Sequence, residues 1–246
     1  MKSLGRRRRP LRGLVTDVDG TLTDRSRRLN VEALQILREL DDSGVTVVLA
    51  TGNVLPVALA LHRSIGLSGP IVAENGGILY RRNGGTDVVE PLARRSLAMA
   101  AYRRLRRAGV PVRRLFTDRW RETEVALEPT APLAEIQRRL RGTRVRAEST
   151  GYAIHLMERG AGKRTAVARA LTPFGLTLAD CVVAGDGDND VGMLRAAGYA
   201  VSFPNGSPKA RAAADFVSRT PYAGGFVEAL KESGIVSRPR RRGARV

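Results

Sequence analysis

Two patterns of apolar residues alternate in the early part of the chain. Leu14-Val15-Thr16-Asp17-Val18 is a short apolar run interrupted by a carboxylate, and it predicts a buried strand. Over 31–43, Ala33, Leu34, Ile36, Leu37 and Leu40 recur at near-helical spacing, and Gly44 stops the predicted helix. Val45-Thr46-Val47-Val48-Leu49-Ala50 is an unbroken, β-branched run, the pattern of a parallel strand covered on both faces. A helix over 55–65 and a strand over 70–74 follow. Strand–helix–strand alternation argues for an α/β fold with a parallel sheet.

The rhythm changes over 87–157. A helix at 94–107, strands at 112–117 and 121–127, a helix at 131–141 and strands at 144–148 and 152–157 are expected. Adjacent strands joined by short turns imply an antiparallel sheet with two helices, a smaller α+β insert. The α/β rhythm then resumes. It predicts helices at 163–174, 190–196, 208–213 and 224–233, with strands at 181–185, 199–203 and 215–217. The expected organisation is a discontinuous core of 13–86 and 158–237, an insert at 87–157, and basic tails at 1–12 and 238–246.

With 246 residues, 43% of them hydrophobic, the chain can build one large core plus an insert. No apolar run approaches the roughly 18 residues of a membrane span. The basic N-terminus lacks the apolar stretch of a secretory signal, so a cytoplasmic protein is expected. The lone cysteine, Cys181, lies in an apolar run and reads as buried and inert. The net charge is +18, and the two tails hold 11 of those charges. Such arginine runs could contact nucleic acid through phosphates, but a solvated tail is the plainer reading, and a nucleic-acid role is set aside as the alternative.

Candidate chemistry collects at predicted strand ends, the edge where open α/β sheets bind ligands. Asp17 and Asp19 could hold a hard cation, attack phosphorus, or trade a proton with a leaving oxygen, although Asp-x-Asp is also common in plain loops. Thr51-Gly52-Asn53 offers a hydroxyl and an amide to a phosphate oxygen, and is equally an ordinary turn. Gly185-Asp186-Gly187-Asp188-Asn189-Asp190 places three carboxylates after another strand. Its spacing fits neither a calcium loop nor a dinucleotide fingerprint. Gly160-Ala161-Gly162-Lys163 lacks the first glycine of a P-loop, since Met157 stands there. Lys163 nonetheless opens a predicted helix, where an ammonium would neutralise a carboxylate and a phosphoryl group, or would simply be a surface lysine.

Taken together and in order, these segments resemble the motifs of the haloacid dehalogenase superfamily of phosphatases. Asp17-Val18-Asp19-Gly20-Thr21 resembles the first, Thr51-Gly52 the second, Lys163 the third, and Gly185-Asp186 with Asn189-Asp190 the fourth. The insert falls where that family carries its C2-type cap. The resemblance implies a Rossmann-like core and a Mg²⁺-dependent phosphomonoester hydrolase. Asp17 would be nucleophile and metal ligand. Asp19 would be acid/base and lend its main-chain carbonyl to the metal. Thr51, Gly52, Lys163 and Asn189 would hold the phosphoryl group or its partners, and Asp186 and Asp190 would complete the metal site. Asn53, Ala73-Glu74-Asn75-Gly76-Gly77 and Phe203-Pro204-Asn205-Gly206 are similar to the archaeal-type phosphoglycolate phosphatases, whereas Gly187-Asp188 departs from that pattern. The implied partner is a small phosphorylated metabolite, 2-phosphoglycolate foremost and sugar phosphates next, handled by a monomer or homodimer. Arg114, Arg119, Arg121 and His155 are the cap groups expected to meet the substrate, and His62 is assigned no role.

Overall fold

The computed structural model describes residues 11–235, so the tails and their proposed nucleic-acid contacts lie almost wholly outside the described residues. In chain order the strands are β1 (Gly13–Thr16), β2 (Thr46–Ala50), β3 (Ile71–Ala73), β4 (Ile78–Asn83), β5 (Thr86–Pro91), β6 (Val125–Leu127), β7 (Val145–Ser149), β8 (Ile154–Glu158), β9 (Cys181–Ala184), β10 (Tyr199–Ser202) and β11 (Phe216–Val217). The helices are α1 (Val31–Asp42), α2 (Leu55–Ile65), α3 (Arg95–Arg107), α4 (Leu133–Arg139), α5 (Lys163–Leu171), α6 (Val191–Leu194), α7 (Pro208–Ala213) and α8 (Tyr222–Ser233).

Eight strands form one sheet in the order β11-β10-β9-β1-β2-β3-β4-β5. The six from β11 to β3 run parallel, and β4 and β5 add an antiparallel hairpin at the edge. Alternate residues of the central strands feed two apolar layers, as period-two side chains must. Leu14, Leu49, Val182 and Val201 pack with Leu37, Phe226 and Leu230 on one face. Val15, Val48 and Val183 pack with Val167, Leu171 and Met193 on the other. Cys181 is buried there, as expected, and burial pushes its thiol up to about 12.

The second sheet, β6-β8-β7, is antiparallel and packs through Val125, Leu127, Val145 and Leu156 against Leu105 of α3, Ile136 of α4 and Leu140 just after it. The fold class is therefore the expected one, α/β with a smaller α+β unit. Four details differ. The expected strand 112–117 is reduced to one bridge between Arg114 and Leu127, followed by a 3₁₀ turn over Phe116–Trp120. Asp118 dictates that turn. Its buried carboxylate accepts from Ala126 N at 2.8 Å and pairs with Arg95 at 2.9 Å and Arg114 at 3.3 Å. The expected strand 121–127 keeps only Val125–Leu127. Helix 163–174 stops being α-helical at Leu171, because Pro173 has no amide hydrogen to continue it. The hairpin β4–β5 was not anticipated, and it carries the large sheet past residue 86 to Pro91. Among the described residues no helix is long and apolar enough to cross a membrane.

Candidate active site

Strand order assembles the site. Thr16 pairs with Leu49 on one side and Ala184 on the other, so β1, β2 and β9 end together. Asp17, Thr51 and Gly185 therefore leave the sheet side by side, although they are far apart in sequence. Lys163 reaches the same point from the first residue of α5.

Lys163 is fully buried and bridges two carboxylates. Its Nζ donates to Asp17 Oδ1 at 2.6 Å and to Asp190 Oδ1 at 2.7 Å. The other oxygen of Asp190 accepts the amides of Asp186 at 3.1 Å and Gly187 at 2.8 Å, so Asp190 folds its own loop while it orients the lysine. Carboxylate oxygens of Asp17, Asp186 and Asp190 lie within 4.8 Å of one another. Gly20 makes room for this. It has φ +80°, and a Cβ there would run into the Asp186 carboxylate.

One ammonium among three close carboxylates leaves buried negative charge in excess. Burial first, then repulsion from Asp190 and Asp186, holds the Asp17 carboxyl well above its ordinary value against the pull of Lys163. Burial and Asp190 push Asp186 up to about 7. Burial alone would depress Lys163, but the Asp17 and Asp190 charges outweigh it and raise its pKa. A divalent oxygen-loving cation would relieve this imbalance, so the donor set fits a hard metal ion.

Asp19 stands apart from the three-carboxylate cluster. Its Oδ2 accepts from Asn53 Nδ2 at 2.6 Å. Thr51 is buried, and its Oγ1 accepts from Asn53 N at 3.0 Å, which leaves the hydroxyl hydrogen available to a ligand. Asn189 donates to Asn75 Oδ1 at 2.9 Å. Asp190, not Asn189, is the residue of that loop bonded to Lys163. Asp188, the departure in the fourth motif, is exposed and turned away, bonded to Lys209 at 2.7 Å and Ser207 at 2.6 Å.

A cavity of ≈ 110 Å³ opens above these groups, and Asp17, Asp19, Gly52, Asn53, Asp186 and Asn189 line its core side. Arg121, Thr150, Tyr152 and His155 line it from the insert. Two of the four expected cap groups are thus at the cavity. The other two are not: Arg114 pairs with Asp118, and Arg119 lies over Phe116, its guanidinium 4.8 Å from the ring centroid. Nor are Arg121 and His155 free cations. Arg121 is bound to Glu124 and donates to Gly52 O at 3.0 Å. His155 Nδ1 lies 2.9 Å from the same Glu124.

Sequence reasoning missed the seam between insert and core. Glu124 is buried and accepts from Asn75 Nδ2 at 3.1 Å. Burial would raise its carboxyl, but His155 and Arg121 overcome this and hold it low. Glu74, also buried, accepts from Glu122 N at 2.9 Å, Thr123 N at 2.9 Å and Thr123 Oγ1 at 2.6 Å. No local signal marks either glutamate, since Glu124 follows Arg121-Glu122-Thr123 and Glu74 precedes Asn75-Gly76-Gly77, polar stretches that read as ordinary surface.

Comparison with known proteins places the molecule in a class. The chain belongs to the haloacid dehalogenase-like hydrolases, whose family pattern matches residues 14–112 and 127–230. It is 36% identical over 222 residues to a phosphoglycolate phosphatase of Methanothermobacter thermautotrophicus, covering 90% of this chain and 98% of that one. It is 38% identical over 227 residues to a phosphoglycolate phosphatase of Methanoculleus marisnigri, covering 90% and 96%. A crystal structure from Thermoplasma acidophilum superposes with a TM-score of 0.83 at 28% identity, covering 92% of this chain and all of that one.

Proposed function

We propose that the protein is a Mg²⁺-dependent phosphomonoester hydrolase that works through a phosphoaspartate on Asp17, with 2-phosphoglycolate as its substrate. The observation that carries this reading is the Asp17–Lys163 contact of 2.6 Å beneath a small cavity, next to two further carboxylates. The names of the relatives support the substrate.

In this reading Asp17, Asp186, Asp190 and the Asp19 main-chain carbonyl would hold Mg²⁺, which would supply positive charge to offset that of the phosphoryl group. Asp17 Oδ2 attacks phosphorus while Oδ1 stays on Lys163. A phosphorus–oxygen bond forms and the bond to the leaving alkoxide breaks. Asp19 gives the leaving oxygen its proton, and then takes a proton from the water that attacks the phosphoaspartate. Phosphate leaves and the Asp17 carboxylate is restored. The Thr51 hydroxyl and Lys163 ammonium steady the phosphoryl oxygens, and the insert keeps bulk water out. Asn53, bonded to Asp19 at 2.6 Å, positions the acid.

The test is phosphate release with Mg²⁺ from phosphoglycolate and a panel of sugar phosphates and nucleotides, for wild type and Asp17→Asn. Activity is expected on phosphoglycolate and to vanish in the variant. Turnover retained by Asp17→Asn would sink the mechanism, and a preference for another panel member would sink the substrate.

A further inference from the structure

The proposed substrate carries a carboxylate as well as a phosphate, yet the floor of the cavity is acidic. A cation must meet the second anionic group, and the candidates can be eliminated in turn. Lys163 is committed to Asp17 and Asp190. Arg121 is committed to Glu124 and the Gly52 carbonyl. Both ring nitrogens of His155 are engaged, with Glu124 at 2.9 Å and Thr150 Oγ1 at 3.3 Å. Arg27 remains. It lines the cavity, and no carboxylate or carbonyl pairs with its side chain among the described residues.

Arg27 comes from the core, not from the insert. It sits on a turn closed at its base by the Thr23–Leu29 bridge. Asp24 Oδ1 accepts from Ser26 N at 2.7 Å and Arg28 N at 3.0 Å, and Arg27 N donates to Asp24 O at 3.0 Å. Within this pinned turn Arg27 has φ +64°, a left-handed conformation that a long side chain adopts only when its surroundings fix it. Across the cavity mouth its guanidinium carbon lies 4.2 Å from the ring centroid of Tyr152, which belongs to the insert. Stacking on a ring uses the flat face of a guanidinium and leaves its N–H edge free. That edge is the part that grips a carboxylate with two parallel hydrogen bonds.

We propose that Arg27, stacked on Tyr152 at the cavity mouth, is the specificity-determining residue that receives the carboxylate of the substrate. The inference rests on the phosphoglycolate reading above and deepens it. Arg27 supplies recognition of the second charge. Tyr152 is a positioning residue that holds the guanidinium over the cavity, so recognition requires the insert and the core to face each other.

The experiment compares phosphoglycolate with 2-hydroxyethyl phosphate, which replaces the carboxylate by a neutral hydroxymethyl group, in full-length enzyme. Arg27→Ala is expected to lower kcat/KM for phosphoglycolate by about 10–100-fold, the loss of a charge-assisted bond, chiefly through KM. Turnover of 2-hydroxyethyl phosphate stays within about 3-fold, which shows that the variant is folded. Arg27→Lys keeps the charge without the fork and recovers part of the loss. Tyr152→Phe keeps the ring and behaves as wild type, whereas Tyr152→Leu raises KM for phosphoglycolate alone. A wild-type preference for phosphoglycolate that survives Arg27→Ala overturns the role of Arg27. A wild-type enzyme without that preference overturns the substrate reading and the role of Arg27 with it.

Discussion

Glu74→Ala tests how the insert is held over the active site. The carboxylate accepts three hydrogen bonds from residues 122–123 and is almost wholly buried. Glu122 is exposed, so its amide can turn to water once the carboxylate is gone. Thr123 is buried, and its amide and hydroxyl lose their acceptor. Each buried donor left unpaired costs about 1–3 kcal/mol, so the seam weakens by roughly 4 kcal/mol. At about 1.4 kcal/mol per factor of ten, local opening rises by about 10³-fold. Glu74→Gln retains one acceptor but turns an amide toward Glu122 N, and costs about half as much. Gly77→Ala strikes the same contact from behind, because a Cβ there meets Thr123 Oγ1 and must displace it from Glu74. The assay is amide hydrogen exchange, read peptide by peptide in wild type and variant. Peptides spanning 121–126 should exchange far faster in Glu74→Ala, while peptides spanning β9 keep their protection. Unchanged protection at 121–126, or an equal loss in both, would refute the claim that Glu74 is a local clasp.

Two more expectations concern the acidic floor. Asp190→Asn turns an amide toward the Asp186 and Gly187 N–H groups that Asp190 now satisfies, and weakens its hold on Lys163, so kcat should fall by about 10²-fold with KM little changed. Steady-state kinetics check this, and a kcat within about 3-fold of wild type would contradict it. Asp186 at about 7 retains a proton in the folded state that the unfolded chain gives up near the ordinary value of 3.8. Folding therefore takes up that proton between those values, and the metal-free protein loses stability from this group as pH rises through the window. A cation needs the deprotonated form, so the Tm increase produced by Mg²⁺ over EDTA should be larger at about pH 8.5 than at about pH 5.5. Equal increases at both would show that Asp186 is not linked to the metal.

Three of the four motifs were legible because each follows closely on an apolar strand: Asp17 after β1, Thr51 after β2, Asp186 just beyond β9. Their convergence was legible only through the α/β rhythm, which makes every parallel strand end at the same edge. The hairpin β4–β5 escaped notice for a physical reason. β5 is an edge strand with most of Thr86–Pro91 exposed, so it carries no apolar alternation. Its turn signal, Asn83-Gly84-Gly85, was present, with both glycines at positive φ. The strand expected at 112–117 failed because one buried carboxylate, Asp118, outweighed the local pattern. The seam could not be read at all. Glu74 and Thr123, or Asn75 and Glu124, are joined only in space, and nothing near either residue names its partner. Arg27 was hidden by abundance. Among 38 arginines, the one without an ionic partner at the cavity is distinguished only by its surroundings.

The position of β1 between β2 and β9 also governs how the protein is made. A ribosome releases β1 and β2 early, but the strand that covers the other edge of β1 begins only at Cys181. The whole insert is synthesised in between, an interval of roughly 10 s at typical elongation rates. Throughout it the nascent chain offers an apolar strand with one unpaired edge, and Asp17 lacks the fourth loop beside it. The emerging polypeptide therefore passes through a stage that invites strand addition from other chains and has no capacity for catalysis. Mutations that slow folding of the insert, even without touching the finished site, should reduce the yield of active protein by lengthening that exposure.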